Sequence, residues 1–277
     1  VWIKKRSAAA SSNLLDTVRG ARKHIESDTT NAETTESAGV GLTAFNSDGF
    51  SLGTDNAGAG QVNNNGGTFV AWCWDAGSST VSNTDGSITS SVRANASAGF
   101  SIVTYEGNAT SGATFGHGLG AEPELVLIKD RNNAYDWIVY HKDTGNTSAL
   151  RLNGTNVKDD NIKWFNNSGP SSTTFTLGNT VGTNASGDDF VAYCFTPVAG
   201  YSAFGSYTGN GSSDGPFVYT GFKPRWVMYK RSDASADWEI KDSARDAYNL
   251  TDETLIPNTD GAAYTGYGID ILSNGFK

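Results

Sequence analysis

This chain is poor in cysteine, methionine, histidine and positive charge. It has 2 Cys, 1 Met and 3 His in 277 residues, and 20 Lys and Arg stand against 29 Asp and Glu. A formal charge of −9 and a pI near 4.8 exclude nucleic acid as a partner, because phosphate binding needs clustered Lys and Arg. No apolar run approaches the ~20 residues of a membrane span, and no signal-peptide pattern is present. The opening residue is Val rather than Met, which reads as processing or as an excerpt of a longer protein.

What is abundant is turn chemistry: 33 Gly, with many Ser, Thr and Asn, which describes an all-β protein. The chain also repeats itself. VWIKKR at Val1–Arg6 returns as VLIKDR at Val126–Arg131 and VMYKR at Val227–Arg231. FVAWCW at Phe69–Trp74 returns as FVAYCF at Phe190–Phe195, and GFSIVTYEGN at Gly99–Asn108 as GYSAFGSYTGN at Gly200–Asn210. A period of roughly one hundred residues suits one β-domain rather than a solenoid coil.

The expected architecture is therefore tandem antiparallel β-sandwich repeats, jelly-roll or lectin-like. Their bounds are 1–98, 99–199 and 200–277. The first unit lacks its opening strands and the third its closing FVAYCF strand, so the array reads as cut from a longer one or completed by strands of a neighbouring chain. FVAWCW, ELVLIK, DWIVYH, FVAYCF and WVMYK are β-branched and aromatic runs bounded by turn dipeptides such as Asp48–Gly49 and Asn153–Gly154. The one stretch with helical patterning is Asn13–Glu26. Cys73 and Cys194 occupy one position in two copies of a strand and read as small buried core residues. The Lys4–Lys5–Arg6 cluster reads as a solvated strand edge.

Chemistry-bearing candidates mostly fail when the copies are aligned. His117, in GHGLG, has Val218 as its counterpart, so a loop role is preferred over a metal ligand or general base. His141, Asp16 and Asp242 each lie twelve residues past the shared lysine; a structural pairing with a neighbouring loop is expected, with Arg19 and Arg245 as partners in two units. Such pairs, if exposed, stabilise by only ~0–1 kcal/mol. Gly211–Gly215 fits G-x-S-x-G, but the surroundings are strand, loop, strand rather than the strand-to-helix elbow that a nucleophilic serine needs. Asp159–Asp160 and Asp188–Asp189 are adjacent in sequence, which does not set two carboxyl groups across a sugar ring. No catalytic residue, metal ligand or cofactor is assigned.

Aromatics are the stronger candidates for recognition. Flat rings beside Asn groups bind sugars by stacking and hydrogen bonding. The pairs Tyr105/Tyr207, Asn108/Asn210 and Trp137/Trp238 recur at matching positions and form the candidate binding set, with the tyrosine loops first and the tryptophans more often core. Eight N-x-S/T tripeptides are expected by chance in so Asn-, Ser- and Thr-rich a chain.

VWIKKRSAAA, FNSDGF, FVAWCW, GFSIVTYEGN, GHGLGAEPELVLIK and GSYTGNGSSDGPFVYTGFKP together resemble the repeat-bearing tail fibre and virion structural proteins of tailed phages, particularly marine and cyanobacterial ones. The resemblance spans nearly the whole chain. It implies a non-enzymatic protein on the virion surface, concerned with host attachment. Its partners would be other virion proteins and a host cell-surface glycan or outer-membrane receptor. Repeated weak sites, multiplied in a homo-oligomer, favourably a trimer, gain avidity of ~10²–10⁴. The alternatives are a purely structural capsid decoration or fibre-shaft spacer, and a polysaccharide depolymerase.

Overall fold

The computed structural model of the protein describes residues 1–55 and 62–277. Its fold is all-β, of antiparallel sheets packed around shared cores. Apart from a four-residue helix α1 (Val181–Asn184) and a 3-10 turn at Lys142–Thr144, the described residues form strands and turns.

One sheet orders β4 (Thr34–Thr35), β3 (Lys23–Glu26), β2 (Asn13–Leu14), β1 (Trp2–Lys5) and β7 (Phe69–Trp72); β5 (Leu42–Asn46) and β6 (Gly49–Leu52) form a separate hairpin. The largest sheet has eight strands. It runs β15 (Asp159–Asp160), β14 (Ser148–Arg151), β13 (Ile138–His141), β12 (Leu125–Asp130), β17 (Asp189–Phe195), β10 (Phe100–Glu106), β9 (Ser90–Asn95) and β8 (Val81–Asn83). Beside it, β11 (Thr114–Gly116) pairs with β16 (Thr174–Thr176). The last part holds β19 (Trp226–Lys230) with β20 (Trp238–Asp242), and β21 (Thr251–Thr254) with β22 (Tyr264–Ile269). A small three-stranded sheet of β18 (Val218–Tyr219), β24 (Gly275–Phe276) and β23 (Ile271–Leu272) completes it.

The repeated phrases take the same pairings. On β1, Trp2 faces Leu14 and Trp72; on β12, Leu127 faces Val139 and Tyr193; on β19, Met228 faces Ile240. Period-2 alternation then sends every second residue to one face. Trp2, Leu14, Ile25, Leu127, Val139, Leu150, Trp137, Trp238 and Ile240 meet in one central core fed by all three segments. The opposite faces fill satellite cores: Ile3 and Leu15 with Leu42 in the first segment, and Ile128, Tyr140, Phe165, Phe175 and Phe190 in the second.

The segment bounds at 98/99 and 199/200 consequently do not separate independent bodies. β9 pairs along β10 across the first bound, and the central core crosses both. A three-stranded hairpin buries too little apolar surface to stand alone, so the three share one interior.

Three local expectations are corrected. Residues 13–26 are not helical: they form β2, a turn and β3, because the strand pairing of Asn13 with Glu26 and Leu14 with Ile25 outweighs a short, weak helical pattern. Cys194 is buried but Cys73 is exposed; both thiols are free. Cys194 lies in β17, flanked by β12 and β10, whereas β7 is the last strand of its sheet and Cys73 follows its end. Lys4 and Lys5 are 1% and 7% exposed, so the basic cluster is no solvated edge.

Candidate functional site

The recurring aromatic candidates divide sharply in the structure. Tyr105 is buried, stacked on Phe115 (4.7 Å) and Phe190 (5.2 Å), with its hydroxyl donating to the Thr183 carbonyl at 2.6 Å. Burial also pushes that hydroxyl well above the ordinary tyrosine range. Trp137 and Trp238 are 0% and 4% exposed. These three side chains cannot touch a ligand, which corrects their place in the binding set. Rings in a strand between two packed layers fill the core before they reach solvent. Asn108 is exposed, its side chain spent on the Thr110 backbone N–H.

Tyr207 and Asn210 stay at the surface. Tyr207 is 49% exposed and meets Phe276 edge-on at 6.3 Å. Asn210 is exposed and organises its loop, accepting from the Ser212 N–H and donating to the Asp214 carbonyl. Other exposed tyrosines lie in the same segment. Tyr201, Tyr219, Tyr248, Tyr264 and Tyr267 are all exposed in the same segment, Tyr267 at 92%. Nothing in their sequence spacing marks them: Tyr219, Tyr264 and Tyr267 lie on strands and Tyr201 and Tyr248 between strands.

The shared lysines and tryptophans do a different job: they join the segments. The Trp137 indole N–H donates to the Glu26 carbonyl and that of Trp238 to the Arg151 carbonyl, each at 2.8 Å. Glu26 and Arg151 lie at the same position of successive copies, twenty-two residues past the shared lysine. Lys129 Nζ reaches the Thr30 carbonyl, Lys230 Nζ the Thr155 carbonyl, and Lys4 Nζ the Thr259 carbonyl. One backbone bond recurs three times: Glu33 N–H to Arg131 O, Lys158 N–H to Ser232 O, and Ala263 N–H to Arg6 O. The third of these returns from the last segment to the first. The segments thus close head-to-tail into a pseudo-threefold ring.

Burial sets the charge state of these groups. Desolvation lowers Lys4 and Lys129 to about 8, with Asp28 and Asp260 near Lys4, and Asp130 and Asp136 near Lys129, opposing the drop. Asp16 is buried with Arg19: Nε to Oδ2 is 2.5 Å, and the Tyr193 hydroxyl donates to the same carboxylate at 2.8 Å. Burial opposes ionisation of Asp16, but Arg19, backbone N–H groups and Tyr193 outweigh it and hold the carboxyl below its usual range. Asp242 and Arg245 repeat the arrangement at 2.6 Å. The pairing expected at this position is present, but both pairs are buried rather than exposed. His141 occupies the middle copy, where its Nδ1 accepts from the Asp143 N–H.

His117 is fully buried; its Nδ1 accepts from the Leu119 N–H, and its Nε2 lies 3.2 Å from the Ser171 carbonyl. The acidic pairs are taken up locally: Asp159 with Arg151, Asp160 with Ser148 and Lys158, and Asp188 with Asn133. Among the described residues, no cluster of three or more His, Cys, Asp or Glu is arranged to hold a metal ion. No helix there is long and apolar enough to cross a membrane.

The model of one protein family, DUF7483, a domain of unknown function, matches residues 1–277. The chain belongs to this family. No curated protein and no solved structure matches the chain. In this chain the recurring tryptophans are buried, and tyrosines are exposed in residues 200–277.

Proposed function

We propose that this DUF7483 chain is a building block of a phage virion appendage, a tail fibre or similar structure, that attaches to host cells through weak, repeated contacts with surface glycans. The observation that carries the binding part is the collection of exposed tyrosines, Tyr207 and Tyr267 among them, in one segment that also exposes Asn210. Rings with one face in water stack on the apolar face of a sugar, and neighbouring amides take its hydroxyls. The virion assignment rests on the sequence resemblance. A trimeric fibre would raise the effective concentration of such sites without new contacts.

The test is adsorption of the purified protein to host cells and to a glycan array. Wild type is expected to bind, and Tyr207→Ala with Tyr267→Ala to lose most of that binding while melting normally. Undiminished binding by the double variant removes these residues from the proposal.

A second reading, a purely structural spacer, is favoured by one specific feature: β7 and β19 each end a sheet with one edge unpaired among the described residues. Absence of binding to any host material, together with a regular lattice position on the particle, would select it.

A further inference from the structure

Among the described residues, the strand that carries the shared lysine has two sheet neighbours in the first two segments and one in the third. β1 lies between β2 and β7, and β12 between β13 and β17. The outer neighbours are the two F-V-A-aromatic copies, in one register: Lys4 opposite Val70 and Lys129 opposite Val191. Among the described residues β19 pairs with β20 alone.

The direction of its backbone groups follows from the ladders. The Arg131 N–H bonds the Asp189 carbonyl, so Leu127 and Lys129 turn toward β17. In the third segment the Ser243 N–H bonds the Arg225 carbonyl, which turns Arg225, Val227 and Tyr229 toward β20. Trp226, Met228 and Lys230 therefore aim their N–H and C=O groups at the other edge, where no described residue pairs with them.

Further observations mark that edge as incomplete. Residues 203–208, the copy of β10 after its first residue, make no backbone hydrogen bond among the described residues, whereas β10 itself is laddered to β17 along its length. Eight of the fourteen large apolar side chains left exposed among the described residues lie in residues 200–277. Every residue of β1 and β12 is buried, but only Val227 is buried in β19. In the second segment Phe190 of the F-V-A strand stacks against Tyr105; its counterpart Tyr207 meets Phe276 directly.

We propose that the open edge of β19 is a strand-addition site for an extended peptide of the pattern Phe-Val-Ala-aromatic-Cys-aromatic. The added strand runs antiparallel to β19, its valine opposite Lys230 and its first aromatic ring beside Tyr207. Backbone hydrogen bonds would supply affinity and the alternate aromatic side chains specificity. Both strands of this pattern within the chain are already paired, β7 on β1 and β17 on β12, so the occupant is a third strand of the same kind. A strand edge with a row of unpaired N–H and C=O groups is a template for such a partner, and the one charged side chain of β19, Lys230, is turned to the Thr155 and Arg231 carbonyls.

The experiment titrates the protein with a synthetic peptide of the sequence Asp188–Thr196, followed by calorimetry and residue-resolved amide exchange. Saturable binding is expected, with slowed exchange at Trp226, Met228 and Lys230 and little change at Val227 and Tyr229. N-methylation of the peptide at Val191 or Tyr193, whose N–H groups face β12 in the second segment, is expected to abolish binding. N-methylation at Ala192, which faces the other way, should weaken it far less. Met228→Pro loses an N–H that no described residue pairs with; it should lose binding while melting no lower than Met228→Ala, since both lose the side chain's packing on the central core. No binding, equal binding of a scrambled peptide, or equal effects of the Val191 and Ala192 modifications would overturn the proposal. The methylated peptides decide it even where the proline variant fails to fold.

Discussion

The indole nitrogen of Trp137 donates to the carbonyl of Glu26 across 111 residues of chain, and it sits at the same place in its segment as Trp238, which donates to Arg151. Ser12 holds that position in the first segment. There the Ser27 hydroxyl, close to the equivalent contact, donates to the Pro257 carbonyl at 2.7 Å. Two tryptophans and one serine thus serve three junctions of a closed ring, and the ring is what the repeat encodes.

Replacing the indole tests that junction. Trp137→Phe keeps an aromatic ring in the core and strands the Glu26 carbonyl, a loss of about 1–3 kcal/mol. Trp238→Phe should cost a similar amount through Arg151. Urea unfolding midpoints measure both, and a loss below about 0.5 kcal/mol for either would show that water replaces the bond.

The buried lysines predict a pH signature. Lys4 and Lys129 have folded values of about 8 against an unfolded value near 10.5. Between these limits the unfolded chain holds more protons, so their contribution to stability rises as pH rises from about 8 and is lost as pH falls back through it. Above about pH 10 tyrosine ionisation in the unfolded chain opposes it, since burial raises Tyr105 and Tyr193 in the fold. Melting scans between pH 8 and 10 should show a rising wild-type stability and a flatter one in Lys4→Met plus Lys129→Met.

On the acid side the histidines act. Burial lowers His24, His117 and His141 below their ordinary value. The unfolded chain therefore takes up protons first as pH falls below about 6.5, and stability drops from there through the folded values. Urea midpoints at pH 7.5, 6.5 and 5.5 should fall in that order, with His117→Gln reducing the slope. A flat profile would show that these rings charge without cost.

Asp16 and Arg19 have almost no exposed side-chain surface. Asp16→Asn leaves a guanidinium buried beside one lost charge partner and should cost about 3–5 kcal/mol. Asp16→Asn with Arg19→Leu should cost less than the sum of the two single changes, because the pair acts as a unit. A double-mutant cycle in urea measures that coupling, and strict additivity would contradict it.

Much of the fold was legible in the residues themselves. Short β-branched runs between Gly and Asn turns pointed to strands, and the recurrence of FVAWCW as FVAYCF matches two strands that the structure pairs, on β1 and β12, in one register. The recurring Asp16 and Asp242 pairing was legible for the same reason: a carboxylate and an arginine three residues apart meet through local geometry. The candidate site was less so. Tyr105 and Tyr207 stand in nearly identical phrases, yet one is sealed between Phe115 and Phe190 and the other faces water.

Local pattern determined which residues make strands and turns, because alternation and turn chemistry act over a few residues. Tertiary structure alone decided which copy of a motif is core and which is surface. Burial depends on whether a neighbouring strand arrives, and that neighbour lies tens of residues away or, for β19, has no counterpart among the described strands. The same physics turned Lys4 from an expected solvated residue into a buried link: its ammonium finds the Ala10 and Thr259 carbonyls only once the ring has closed.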